Sequence, residues 1–472
     1  MKKIIPALVV LFLITLLPSL RTVSVRTSTP RSVLAKGSNQ FAFSLMRSVM
    51  SDDTSNKVVS PVGVYLSMGL LYNAANKDTR DVLAHTMQVA DMDINKLNAL
   101  SRSLLQELSL ADKKARFAMA NSIWANRKKL KLSPAFTQLG DEYYYTNVMS
   151  VPFAGKATSD KVNKWTTENT DRMFPPILPT ANPNDLLYLT NGCCFSCSWQ
   201  QPFDSANTQI DFFYPATSEG TASHHRIAVP FMKKTQVMKA YSDTSFTMVE
   251  LPYGDFNAYS LYIVLPDNVQ QTARQFMSTL QESRFYDAIT RMNDQWVDLS
   301  LPRWEQTNDS ADISPALKQM GLGILFNQGG SADLSNMCTI PGRSNLLSTW
   351  DILRGKDDMD IDKAASTPIS KFYHRTCFNV TERGTFTDVS APASAEAPVS
   401  AARNGGRRSL TIKADRPFLY FVVAREQQMV LLTGIMNNPV DVPAIKPHLP
   451  SKSPKQGLRL LHGKERRRPL AS

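Results

Sequence analysis

Cys193, Cys194 and Cys197 crowd one short stretch, and Asp357-Asp358-Met359-Asp360 forms an acidic run further on. Either group could hold a cation. The cysteines, however, lack a second cluster and a nearby histidine, and the acidic run lacks the glycine and closing glutamate of a calcium loop. Neighbouring positions on one strand are also poorly placed to bridge. The cysteines therefore read as small buried hydrophobes with no disulfide framework, and no metal or cofactor is expected. The histidines are His85, His224, His225, His374, His448 and His462, and none is spaced as a catalytic base beside a nucleophile. There is no Gly-x-Ser-x-Gly elbow and no His-Glu-x-x-His, and Gly457 to Lys464 has one residue too many for a phosphate loop. The chain does not read as an enzyme.

The stretch from Phe372 to Phe421 is the unusual one. Strand-like ends, Cys377 to Val380 and then Ser409 to Lys413 and Pro417 to Val423, enclose a long run of Ala, Ser, Thr, Pro, Gly and Arg. Such a run cannot bury enough apolar surface to offset its ordering entropy, so it should stand out as a loop. Long loops in compact domains are uncommon and usually functional or disordered. From Thr385 onward one parity is small throughout: Thr385, Thr387, Val389, Ala391, Ala393, Ala395 and Ala397. The other parity is Phe386, Asp388, Ser390, Pro392, Ser394, Glu396 and Pro398. Side chains alternate along a strand, so this segment could become a strand with one buried face.

The elements that must carry the loop are legible too. Phe41, Leu45 and Val49 recur at helical spacing behind Ser38 and Asn39 as cap candidates. Ser60-Pro61 caps and starts a helix that is apolar on nearly every face and should be buried. Leu97, Leu100, Leu104 and Leu108 mark an amphipathic helix. Phe117 to Trp124 reads as a strand, and Leu187 to Trp199 is a near-continuous apolar strand, as one covered on both faces should be.

Taken in order, these stretches resemble the serpin family. The carriers are Asn56-x-x-x-Ser60-Pro61, Ala120-Asn121-Ser122-Ile123-Trp124, Asn163-Lys164-Trp165 opening a helix, and Asn191, Phe195 and Trp199 on one strand. They continue through Leu301 to Trp304, Phe372-Tyr373-His374-Arg375, the Glu382-Arg383-Gly384-Thr385 hinge and the closing hairpin to Asn438-Pro439. The resemblance covers about residues 38 to 440. It departs at Ala74 to Thr79, where the family motif is degraded, and at Ser344 to Pro368, which looks inserted.

The resemblance implies an α+β serpin fold with mixed and antiparallel sheets, about eight or nine helices and an exposed reactive-centre loop at 383–408. Residues 37–440 would form the domain. It implies a suicide substrate: a serine protease, or a cysteine protease, cleaves the loop, and the hinge at Glu382, Gly384, Thr385, Thr387 and Val389 inserts into the central sheet. Asn56, Ser60, Pro61, Asn191, Trp199 and His374 would form the core of the insertion region. The alternative is a non-inhibitory serpin-fold binding module whose loop is only a substrate. Phe386, Asp388 and Pro392 favour that alternative, although one lost ladder hydrogen bond costs only on the order of 1 kcal/mol. The family's usual spacing from Gly384 would put the cut after Pro398 or, one residue on, at Val399-Ser400; bonds after proline are poor substrates, which leaves Val399-Ser400, suited to elastase-like enzymes. Counting back from the Pro417-Phe418 strand would put it near Gly406, and the rival bond is Arg403-Asn404, whose arginine would suit trypsin-like enzymes.

The 472 residues are 43% hydrophobic and carry a formal charge of +12. Half of that charge, +6 from eight basic and two acidic residues, lies in the tail 441–472. The body is thus only mildly basic, and nucleic acid is not implied. The tail reads as disordered, with a polyanion as its functional partner. At the start, residues 1–36, Lys2-Lys3 precede an apolar run from Ile4 to Leu20 broken by Pro6 and Pro18, short of the roughly 20 residues of a bilayer crossing. The run fits an export signal, hence a secreted, periplasmic or cell-surface monomer; without a clean cleavage site, an uncleaved anchor stays open.

Overall fold

Residues 33–50, 54–112, 114–170, 176–216, 226–307, 312–326, 332–341, 366–386 and 409–439 are described by this computed structural model. The chain divides into Met1–Arg31, which lies outside them, and one compact unit from Ser32 onward.

Nine α-helices occur among the described residues. α1 (Val33–Val49) buries Phe41 and Leu45 and leads to α2 (Pro61–Ala74). α2 has no charged residue, and every one of its side chains is buried, as a helix apolar on all faces demands. Around it come α3 (Lys77–Met87), α4 (Ile94–Leu110) and α5 (Pro134–Tyr144). α6 (Lys156–Asn169), α7 (Ala273–Thr279), α8 (Glu282–Arg291) and α9 (Ser314–Gln319) complete the set.

Three local expectations need correction. Ser38 and Asn39 lie inside α1, because Asn39 is spent on a tertiary bridge, donating to Gln428 O and accepting from Val430 N. Ser60 does hold the N-cap position of α2, and Pro61 follows at its first turn, but the Ser60 hydroxyl donates to Leu431 O instead of capping. Asn163 sits within α6 rather than opening it, and its side chain accepts from the amides of Ile177 and Leu178. In each case a polar side chain serves a distant backbone group that burial would otherwise leave unpaired.

In chain order the strands are β1 (Lys57–Val59), β2 (Arg116–Asn126), β3 (Lys131–Leu132), β4 (Thr146–Val151), β5 (Leu187–Ser198), β6 (Gln209–Phe213), β7 (Ile227–Ser242), β8 (Phe246–Pro252) and β9 (Tyr259–Pro266). They continue as β10 (Asn293–Pro302), β11 (Trp304–Thr307), β12 (Cys338–Thr339), β13 (Lys371–Thr381), β14 (Gly384–Thr385), β15 (Leu410–Lys413), β16 (Phe418–Ala424) and β17 (Met429–Met436). One mixed sheet runs β11-β13-β14-β5-β2-β4, with β13 and β5 also paired directly. A larger sheet runs β1-β17-β16-β9-β8-β7-β10-β15, with β6 on β7. β3 and β12 form a separate pair. The near-continuous apolar run of β5 is explained by its place: ten of its residues pair with β2 on one side, and both faces are covered.

Candidate functional site: the seam between β5 and β13

β13 and β5 pair in parallel from Lys371↔Tyr188 up to Cys377↔Cys194. On the face toward α2, His374 stands opposite Asn191 in this register. Gly63 of α2 makes the close approach possible, since a Cβ there would lie 2.6 Å from Asn191 Nδ2 and 2.8 Å from Cys193 Sγ. His374 is fully buried. Its Nε2 accepts from the Ser60 amide at 3.0 Å and lies 2.9 Å from the Thr376 hydroxyl. Its Nδ1 is 2.6 Å from Asn191 Oδ1. With Nε2 accepting, the proton sits on Nδ1 and is donated to Asn191, so the ring is neutral. Burial lowers its pKa to about 3, with the Asn191 hydrogen bond opposing that shift. Asn191 in turn donates to Asn121 of β2. One polar chain thus joins the start of α2 to three neighbouring strands.

Above Cys377 the two strands part, and β14 lies between them. Gly384 and Thr385 pair antiparallel with Ser198 and Cys197 on β5, and with Thr381 and Val380 on β13. The Phe386 amide extends the ladder, donating to Asn379 O at 3.0 Å. The start of the loop, expected to stand free, is already sheet. Gly384 has φ +149°, and a Cβ there would lie 2.2 Å from Cys197 O, so only glycine fits. Thr385 is fully buried, its hydroxyl 2.5 Å from that of Tyr253. Phe386 faces the other way and is half-buried, with the Arg383 guanidinium 5.5 Å from its ring centre.

The two-residue turn at Glu382-Arg383 is pinned from several sides. Phe203 N donates to Glu382 O, and Trp199 N donates to Arg383 O, both at 2.8 Å. The Trp199 indole donates to Thr381 O at 2.8 Å and stacks on Tyr253 at 4.4 Å. The buried Glu382 carboxylate accepts from Arg303 and from Thr208 (2.8 Å). Burial acts to raise its pKa, but Arg303 and Thr208 outweigh that and hold it below the usual carboxylate range.

The structure therefore brings Ser60, Asn191 and His374 together at the lower seam, and Trp199, Glu382, Gly384 and Thr385 at its top. Asn56 belongs to neither group. Its side chain clamps the end of β17, accepting from the amides of Asn437 and Asn438 and donating to Asn438 O. Thr387, Val389, Val399, Ser400, Arg403 and Asn404 lie outside the described residues, as do the acidic run, the basic tail, His224 and His225. All five cysteines are buried thiols. Sequence reasoning missed Tyr253, Arg303, Thr208, Asn121 and the pairing of Cys377 with Cys194. All of them meet the seam through register or tertiary contact, which no local spacing reveals.

The sheet thus holds a short strand between β5 and β13 at one end, while the same two strands pair directly with each other below. The family model for serpin (serine protease inhibitor) matches residues 36–439, and the chain belongs to the serpin family. Among its relatives, Serpin-Z2B of Triticum aestivum is 28% identical over 416 residues, covering 85% of this chain and 95% of the relative. Tengpin, a thermophilic serpin solved in its native state, superposes with a TM-score of 0.73 at 22% identity, covering 85% of this chain and 93% of its own. Human thyroxine-binding globulin complexed with thyroxine superposes with a TM-score of 0.71 at 20% identity, covering 86% of this chain and 100% of its own. The fold is the serpin fold.

Proposed function

We propose that the protein inhibits an endopeptidase as a suicide substrate, by loop cleavage followed by insertion of the freed strand into the β5–β13 seam. The observation that carries this reading is register. β14 pairs with β5 and with β13, and the two flanking strands pair with each other lower down. Continued residue by residue, the two β14 ladders agree along the whole seam. Asp388 would fall between Cys194 and Cys377, Ala391 between Asn191 and His374, and Ser394 between Tyr188 and Lys371. A growing strand needs no slip on either side. Its parity is already set, because Thr385 points in and Phe386 out, so Thr387, Val389, Ala391 and Ala393 would take the small inward positions.

Energetically, insertion would replace one parallel pairing by two antiparallel ladders, which are slightly more stable per residue. It must first break the His374–Asn191 hydrogen bond, whose place Ala391 cannot fill. Asp388 would lie two residues along from Arg375 on β13, on the outward face, within reach of an arginine side chain.

The same register ranks the candidate bonds. The β5 ladder ends at Leu187, opposite Ala395. Val399 is four residues beyond, about 13 Å of extended chain, whereas Arg403 is eight beyond, about 26 Å. A protease held at Val399 would be pulled against the far end of the sheet; one held at Arg403 would keep slack. Cleavage at Val399-Ser400 by an elastase-like serine protease is the trapping event, and cleavage at Arg403-Asn404 by trypsin-like enzymes gives mostly turnover. A cysteine protease that forms an acyl-enzyme would be held by the same strand motion. The N-terminal apolar run supports export, and the basic tail supports a polyanion contact, for a protein acting as a monomer.

The second reading, a binding module whose loop is only a substrate, is favoured by Phe386, bulky where the ladder begins, together with Asp388 and Pro392 further along the loop. The test is incubation with a panel of proteases and denaturing gel electrophoresis. A covalent adduct that survives denaturation, attached at Val399 by mass spectrometry, is expected. Cleavage with no adduct from any protease, and no gain in melting temperature, sinks the inhibitor reading in favour of the binding module.

A further inference from the structure

Cys194 and Cys377 are the topmost directly opposed pair in the closed seam. Each sits one residue from an inward-facing neighbour: Cys193 packs toward Asn191 and Gly63, and Thr376 bonds His374. Both therefore point to the outward face, where they pack against each other as a separate two-residue cluster. Each is 1% exposed. Paired residues on adjacent strands have Cα atoms about 4.8 Å apart, inside the window of about 4.4–6.8 Å that a disulfide spans. With one more strand between them the separation would be about 9.6 Å, beyond that window. A bond between these sulfurs and a fully inserted strand exclude each other.

We propose that Cys194 and Cys377 form a modification site, oxidised to a disulfide by a small disulfide such as oxidised glutathione, which locks the seam shut and turns the inhibitor into a substrate. One thiolate attacks the small disulfide and releases one reduced thiol, leaving a mixed disulfide. The second thiolate then displaces the second reduced thiol. Both protein thiols give up a proton, the protein is oxidised by two electrons, and the small disulfide is reduced to two thiols. Burial raises the Cys194 pKa well above its ordinary value, and the hydrogen bond with Cys377 raises it further. Reaction in the closed seam is accordingly slow and proceeds when the strands separate enough to admit water. The motion that insertion needs is the one that exposes the lock. β14 and its pins lie above the pair and need not move.

This proposal rests on the insertion reading, so its test keeps the two apart. The full chain is equilibrated with oxidised glutathione, the remaining thiols are alkylated, and the disulfide is mapped by mass spectrometry. Oxidised protein, oxidised protein treated with dithiothreitol, and Cys377→Ala taken through the same oxidation are then compared. The expected result is a Cys194–Cys377 linkage, loss of the protease adduct with cleavage retained, and recovery on reduction, with Cys377→Ala indifferent to oxidant. No such linkage, or a linkage with undiminished adduct, overturns the lock. If the reduced protein itself gives no adduct, the inhibitor reading fails separately, and the lock is judged by the melting temperature of loop-cleaved protein. A rise on cleavage in the reduced form that is absent in the oxidised form supports it. A rise in both, or in neither, overturns it.

Discussion

At the top of the seam β5 and β13 hold a third strand between them, fastened by backbone ladders, the Glu382 carboxylate and the Trp199 indole. Seven residues lower they hold each other, through parallel pairing and the His374–Asn191 hydrogen bond. The same two strands thus show both states of one sheet, open and occupied above, closed below. The upper end is geometrically demanding, with a glycine that admits no Cβ and a threonine with no exposure. The lower end is chemically demanding, with a buried neutral imidazole whose partners are all spoken for. Under the proposed mechanism, starting the inserted strand would be a question of shape, whereas extending it would mean opening the parallel β5–β13 ladder and the His374–Asn191 hydrogen bond at its centre.

The sharpest way to break the upper end is Gly384→Val. A side chain there meets the Cys197 carbonyl, and the positive φ adds strain of about 1–3 kcal/mol. Expulsion of β14 is expected, with the protease adduct replaced by simple cleavage on gels. Thr385→Arg should follow closely, because burying an unpaired charge costs several kcal/mol; an undiminished adduct yield would break the insertion model. At the lower end, Asn191→Ala should cost about 1–3 kcal/mol by orphaning the His374 Nδ1–H. The fresh variant should therefore melt lower than wild type, and an eased seam should also let the uncleaved loop insert on warm incubation, seen as loss of adduct-forming protein with a higher melting temperature in the incubated fraction. The histidine also predicts a pH window. Its folded pKa, about 3, lies below its unfolded value near 6.5, so its contribution is complete above 6.5 and is lost as pH falls toward 3. The slope is about 1.4 kcal/mol per pH unit. In denaturant titrations of wild type and His374→Gln, the wild-type advantage should be largest at pH 7 and shrink steadily toward pH 4, because the variant lacks this slope. The smallest effect belongs to Arg303→Gln, whose partly exposed ion pair with Glu382 is worth under about 1 kcal/mol. It should lower adduct yield slightly and leave the melting temperature almost unchanged.

The lower end was more legible in the sequence than the upper. An uncharged helix behind Ser60-Pro61, an apolar strand through Asn191 and a lone His374 ahead of a hinge carry their burial in their own composition. Inward placement of Thr385 followed from alternation alone. The pins at the top did not, because Glu382 meets Arg303, Thr208 and Phe203 across long stretches of chain. The cysteines show the limit most clearly. Read along β5 they are crowded and unable to bridge; only the register with β13 reveals that Cys194 has a partner. Where local rules failed outright, at Asn39, Asn163 and the Ser60 hydroxyl, a distant backbone group had the stronger claim.

Trp199 also makes the hinge visible without a label. Its indole lies nearly parallel to the Tyr253 ring, 16° between planes, and that phenol meets Thr385. Two stacked chromophores in a rigid, asymmetric setting rotate polarised light strongly in the near ultraviolet. Any movement that withdraws Thr385, or drives a longer strand past it, alters the tyrosine's hydrogen bond and the stacking together. The native chain therefore carries an optical clock at the point where the proposed insertion would start. Stopped-flow ellipticity after protease addition would time the hinge separately from the cut itself.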